Sequence, residues 1–536
     1  MKRLDLSLLA GAALLALGGS AHAVSYTYSN LVVGGVGSSF NPLFIGASDS
    51  LNVSGFLQIG LNGTGSLYQT ASTASVANLD IGHSSSTSSG NGLYVFSGGA
   101  LHAGSITIGT NGGSPYKAST GTFTQQGGSV DLTNILYVGR DTNTSGNYNL
   151  NNGTLASSGA TVGASGTGNF TQAGGTHTAA SLAIGDGSGS GTGTYTQSGG
   201  TLNVNGEFAV GRGKGTGNFV QSGGTVNAAD SWGVTVGSGT SSSGTYTLSG
   251  SGTLNSKYES IGFFGTGVFT QTGGSNQVGD TLYLAQAAAA SGTYNLNGGS
   301  LSVGTIAKGQ GTSAFNIDGG SLVLTGSSIG AGSFALGATT SSNFSLGAGK
   351  TLTTDALTIG AHGTLVDNGT VQAGSVLLDG GRVGGAGSVN GDLTARNGAT
   401  VGVAGQIGTL TLNGSARFDS SKLSFEIASA SSFDKIVFNS AVDLGTTTQL
   451  RVSLTGGYAP ATTTWYDLID YHGSVSGSLV LSALPTLAAG RHWDTSRLYT
   501  TGELGLVVGA VPEPDTWALM AFGLVGLGVA ARRRRA

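Results

Sequence analysis

The chain has 536 residues, of which only 9% are charged and 38% hydrophobic, with 99 glycines, 6 prolines and no cysteine. A soluble globular domain carries about 25% charged residues, so the composition argues against an ordinary enzyme, and the lack of cysteine removes disulfides, thiolate metal sites and cysteine nucleophiles together. The formal charge of -4 hides an asymmetry: without residues 1–23 and the terminal arginines, 15 basic residues face 24 acidic ones, and such a body has no basic patch to neutralise the phosphates of a nucleic acid.

Residues 1–23 form an export signal. Lys2 and Arg3 supply a positive start, Leu6 to Leu17 is a Leu/Ala-rich apolar run, and Ala21-His22-Ala23 gives the small-x-small pattern that signal peptidase accepts. Ala21 and Ala23 are therefore the expected cleavage determinants, and the mature chain is expected to begin at Val24. The apolar run is short of the roughly 20 residues that a membrane span needs.

Residues 24–403 read as a repeat region, clearest over 90–324. The recurring unit is Gly-Thr/Asn-aromatic-Thr/Asn-Gln/Leu-x-Gly-Gly-Thr/Ser-Leu/Val, as in Gly193 to Gly200 and Gly217 to Gly224. Its aromatic anchors are Tyr94, Phe123, Tyr148, Phe170, Tyr195, Phe219, Tyr246, Phe269, Tyr294 and Phe315, at a spacing close to 25 residues. Aliphatic-Gly pairs such as Ile184-Gly185 and Val210-Gly211 fall between them. Alternation in each short segment predicts β strands with apolar side chains on one face and Thr/Asn on the other. A lone unit cannot bury that face, whereas stacked units can. The expected fold is thus all-β, a right-handed parallel β-helix of ~25-residue coils with an interior column of Tyr and Phe. A β-propeller needs blades of about 40 residues or more, and a disordered linker does not account for evenly spaced aromatics.

Residues 404–510 lose the aromatic-Gly-Gly motif and show denser alternation, as in Leu423-Ser424-Phe425-Glu426-Ile427. They are expected to form a C-terminal β capping module, because an open solenoid end exposes strand edges that invite aggregation.

Residues 511–536 have three parts. Pro512-Glu513-Pro514 precedes an apolar stretch, 517–531, followed by Arg532, Arg533, Arg534 and Arg535. As a helix that stretch would be about 22 Å long, short of a roughly 30 Å hydrocarbon core, so a transient inner-membrane anchor is expected, with the four arginines holding the C-terminus in the cytoplasm as topology anchors. The tail resembles the PEP-CTERM sorting signal, its Pro512, Glu513 and Pro514 matching the motif residue by residue. That resemblance implies recognition and processing by an exosortase in an exopolysaccharide-producing Gram-negative bacterium. The repeats over 51–324 resemble those shared by autotransporter passenger domains and PEP-CTERM proteins, although no C-terminal barrel strands follow them.

No catalytic constellation is evident. His22, His83, His102, His177, His362, His472 and His492 are scattered singly and read as surface or turn residues, with no metal or cofactor expected. Asp186, Glu207, Asp230 and Glu259 fall in successive coils at unequal offsets from their anchors, which does not predict one tight site. The expected function is a non-enzymatic cell-surface or extracellular-matrix protein, a structural or adhesive element in contact with exopolysaccharide or carrying glycans. A polysaccharide-active β-helix enzyme and a secreted adhesin for another cell are the alternatives.

Overall fold

The computed structural model describes residues 23–509, apart from 36–37, 39, 113–116, 188–190, 229–232, 403–405 and 461. The described residues contain strands and turns and no α-helix, and they form about 17 turns of parallel β-solenoid. The terminal apolar stretch expected to be helical lies outside the described residues. Two compact units divide the chain: Met1–Leu365 with Val371–Ser375, and Val366–Thr370 with Val376–Ala536.

In the first unit each regular coil contributes three strands, for example Thr192–Gln197, Thr201–Val204 and Phe208–Val210. Each strand pairs in parallel with its counterpart one coil away, so Gly193, Tyr195 and Gln197 sit over Gly217, Phe219 and Gln221. The glycines of the repeat are demanded by this stacking. At Gly211 (φ +77°) a Cβ would stand 2.4 Å from the Ser243 carbonyl oxygen, and at Gly217 one would stand 2.2 Å from the Gly211 nitrogen. The aliphatic-Gly pair and the Gly two residues before the aromatic in the coils from Tyr94 to Tyr294 are therefore two sides of one close backbone approach that leaves no room for a Cβ.

The first ladder carries the anchors. Register joins Leu43, Leu67, Tyr94, Phe123, Tyr148 and so on through Phe315, Phe334 and Leu357 into one buried or near-buried column of fourteen levels. At a strand spacing of about 4.8 Å this column is roughly 60 Å long. Neighbouring rings stack closely: Tyr148 on Phe170 at 4.8 Å and 4°, Phe170 on Tyr195 at 4.4 Å and 9°, Phe269 on Tyr294 at 4.6 Å and 5°. Such a pair adds about 0.5–1.5 kcal/mol to what burial alone contributes.

The strict Tyr/Phe alternation of the anchors has a chemical cause. A buried tyrosine hydroxyl needs a partner, and in every second coil it finds one in a glutamine of the preceding coil. Tyr148 donates to Gln125 Oε1 at 2.7 Å, Tyr195 to Gln172 at 2.8 Å, Tyr246 to Gln221 at 2.7 Å and Tyr294 to Gln271 at 2.7 Å; Tyr94 makes the same bond to Gln69. Each glutamine donates in turn to two backbone carbonyls, as Gln125 does to Gly128 at 3.2 Å and Thr154 at 2.9 Å. The coils anchored by Phe123, Phe170, Phe219 and Phe269 thus read Phe-x-Gln, Phe315-x-Ile317 precedes the hydroxyl-free Phe334, and most coils with a Tyr anchor read Tyr-x-Leu. Tyr195-x-Gln197 breaks the rule, and Gln197 Oε1 is buried with no partner because the next anchor is Phe219.

The second unit is also built of parallel ladders, without the aromatic-Gly-Gly motif. Arg382–Gly384, Thr400–Gly402, Lys422–Ser429, Thr448–Leu454 and Leu479–Ala483 pair in parallel in that order. Thr409–Leu412, Lys435–Phe438 and Ile469–Tyr471 form another such ladder. The strands of these two ladders are therefore further solenoid turns, with buried positions such as Leu423, Phe425, Ile427, Ile436 and Phe438. Thr464–Asp467, Arg491–Asp494 and Glu503–Val508 form a three-stranded antiparallel sheet, and Ser432–Phe433 pairs antiparallel with Lys422–Ser429.

Candidate functional site

Ala21, Pro512, Glu513, Pro514 and Arg532 to Arg535 lie outside the described residues, as do residues 517–531. Ala23 is exposed, and the next residue, Val24, places its backbone nitrogen 3.0 Å from Asp49 Oδ1. Among the described residues no helix is long and apolar enough to cross a membrane.

The four carboxylates of successive coils separate into three situations. Asp186 and Glu207 share Arg212, at 3.1 and 2.7 Å, so these two are brought together despite their unequal offsets. Glu259 is interior and fully buried, standing in the ladder between Val234 and Leu282. Its oxygens accept from Ser256 Oγ and Asn276 Nδ2, both at 3.1 Å, and burial raises its pKa to about 7. Asp230 is outside the described residues. Asp186 and Glu207 thus share a single positive charge, each held in an ion pair with Arg212.

The reading of all histidines as surface or turn residues is corrected at His177. It is fully buried between Leu155 and Leu202, stacked on Phe170 at 5.0 Å. Its Nδ1 lies 3.1 Å from the Tyr195 hydroxyl, whose proton is committed to Gln172. Nδ1 must then carry the ring proton and Nε2 is left bare, without a partner. Desolvation holds this imidazole neutral, its pKa lowered to about 3. The surface histidines include His83, 3.3 Å from Asp80, and His102, 3.4 Å from Asp131. No group of three metal-ligating side chains occurs among the described residues.

The outer face of the first unit is lined by neutral hydrogen-bonding side chains. Along the second ladder Asn255 donates to Asn227 at 3.0 Å and Asn227 to Asn203 at 2.9 Å. On the first, Asn169 donates to Asn147 at 3.1 Å and Asn316 to Asn295 at 2.8 Å. Parallel stacking in register places identical amides one strand spacing apart, where they bond to each other and still present the remaining donor and acceptor outward.

Two features of the site went unread in one dimension. The Phe-x-Gln and Tyr-x-Leu alternation was visible in the repeats and becomes meaningful once neighbouring coils are set in register. Arg382 and Arg451, which line one groove of the second unit, carry no local signal, since 69 residues separate them and only ladder stacking brings them to one face.

No curated protein matches the chain. Residues 510–535 match the PEP-CTERM protein-sorting motif, so this β-solenoid carries a signal that implies export, exosortase recognition and sorting to the cell surface.

Proposed function

We propose that the protein is a non-enzymatic structural or adhesive element of the cell surface or extracellular matrix, associated with exopolysaccharide. The observation that carries this reading is the outer face of the first unit, where amides stack in ladders, Asp141, Asp186 and Glu207 are tied to arginine, and the few exposed carboxylates, such as Asp280 and Asp355, stand apart. Many weak, equivalent hydrogen-bonding positions suit a long neutral glycan better than a pocket does. The tail directs a Gram-negative cell to hold the chain transiently at its inner membrane until an exosortase acts. At the other end, signal cleavage after Ala23 converts the Val24 nitrogen into an ammonium beside Asp49, so maturation itself strengthens the anchoring of the first strand.

Deleting the gene is expected to alter cell aggregation or matrix retention, and the purified mature protein is expected to release no fragments from glycans. Substantial depolymerisation by the purified protein overturns the reading.

A further inference from the structure

Eight arginines lie among the described residues. Arg140, Arg212, Arg396, Arg417 and Arg497 are paired with carboxylates, and Arg491 donates to the Pro460 carbonyl at 2.7 Å. The side chains of the two that remain, Arg382 and Arg451, have neither an ion pair nor a hydrogen bond among the described residues, and both line the same groove of about 890 Å³ in the second unit. In a body where acids outnumber bases, two exposed guanidiniums left unneutralised on one surface are a departure from the pattern the rest of the molecule follows.

The ladder explains how they meet. Arg382 is in register with Thr400 and then Lys422, while Arg451 is in register with Ser424 on the same strand as Lys422. The two arginines therefore stand three strand spacings apart, about 14 Å across the ladder, with Ser424, Glu426 and Ser453 among the groove residues and Pro485 at its side. We propose that this groove binds a glycan chain bearing carboxylate groups, a polyuronate-type polymer lying across the strands. Each guanidinium takes one carboxylate in its planar fork. Glu426 and the two serines face sugar hydroxyls, and the apolar side chains of the groove cover C–H faces. A single carboxylate in the groove leaves it without the acid–base pair that glycoside hydrolysis needs, and two cations are too few for the many phosphates of a nucleic acid. The inference rests on the reading of the protein as a glycan-associated surface element and names the class of glycan and the place.

The test is titration of the full mature chain with polygalacturonate and, separately, with a neutral glucan and with inorganic phosphate. Saturable binding of polygalacturonate is expected, weakening with added salt. Arg382→Gln and Arg451→Gln are each expected to weaken it about tenfold, the scale of one lost charge-assisted hydrogen bond, and the double variant to abolish it. Arg451→Lys should retain part, since lysine keeps the charge and loses the fork. Arg417→Gln, whose partner is Asp443, should bind as the parent does, and unchanged far-UV circular dichroism shows that every variant is folded. Absence of polygalacturonate binding, binding indifferent to both arginines, or equal capture of phosphate at the same residues overturns the proposal. Cleavage of the bound polymer instead overturns the non-enzymatic reading and leaves the groove standing as its binding site.

Discussion

The two units make the same kind of ladder, and they differ in whether interior hydrogen bonds join one coil to the next. In the first, polar side chains go inward: glutamines, tyrosine hydroxyls, His177, Asn276 and Glu259 all occupy interior positions. In the second, ladder positions such as Leu423, Phe425 and Ile427 are apolar, Asp367 and Asp434 are the buried carboxylates among the described residues, and exposed ion pairs include Arg396–Asp379 and Lys435–Asp470. The difference teaches where the repeat comes from. An interior hydrogen bond between consecutive coils constrains both coils to repeat the same residues at the same place, whereas exposed ion pairs constrain little. The first unit is accordingly the one with a visible sequence period.

That comparison breaks most directly at the aromatic column. Tyr246→Ala removes a fully buried ring stacked on both sides and orphans Gln221 Oε1, which Tyr246 satisfies. A loss of about 3–5 kcal/mol is expected, read as a fall in the thermal transition followed by far-UV circular dichroism.

The next effect is pH dependence of the first unit. Glu259 has its pKa raised by burial from 4.5 to about 7, so its contribution to stability is present below pH 4.5 and is lost as pH rises to about 7, on the order of 3 kcal/mol. His177 is a base whose pKa burial lowers from 6.5 to about 3, so its contribution is present above pH 6.5 and is lost as pH falls toward 3. Between about pH 4.5 and 6.5 the two slopes oppose and the parent protein's stability is expected to be nearly flat with respect to these groups. Glu259→Gln should then show stability rising with pH across that window, and His177→Leu stability falling; denaturant unfolding at several pH values checks both. If the two variants keep the parent's profile, these groups are not buried as described.

A smaller effect sharpens the Tyr–Gln rule. Gln125→Leu leaves the Tyr148 hydroxyl buried without its acceptor, at a cost of about 1–3 kcal/mol. Gln197→Leu should cost less, because Gln197 Oε1 has no partner to lose. Phe219→Tyr would supply that oxygen with a donor and is expected to stabilise by up to about 1 kcal/mol. Comparing the three thermal midpoints is enough, and equal losses from Gln125→Leu and Gln197→Leu would contradict the rule. Smallest of all, Arg396→Ala in the second unit breaks a solvent-exposed pair with Asp379 and should shift stability by less than about 1 kcal/mol.

Much of the candidate chemistry was illegible for a specific reason. His177 and Asn276 stand where other coils have Leu155, Leu202, Leu254 and Leu301, and Glu259 stands where Val234 and Leu282 do. Read singly, a histidine or glutamate suggests the surface; read against its column, it is a substitution inside the core. Asp186 and Glu207 were judged apart by their offsets from the anchors, yet Arg212 reaches both, because a long flexible side chain tolerates the unequal turn lengths that a rigid site does not.

What the sequence by itself determined is the parallel stack and its address. A 25-residue period with alternating side chains has one economical burial, in-register stacking, and the Pro-Glu-Pro tail with its arginines is contiguous, so both are readable from local order. Only the tertiary structure decided which polar groups face inward, which coil supplies each tyrosine with its glutamine, and which two arginines are left to share a groove. Those relations join residues one or more coils apart, and the distance between such residues is set by strand spacing and turn length, which no local pattern encodes.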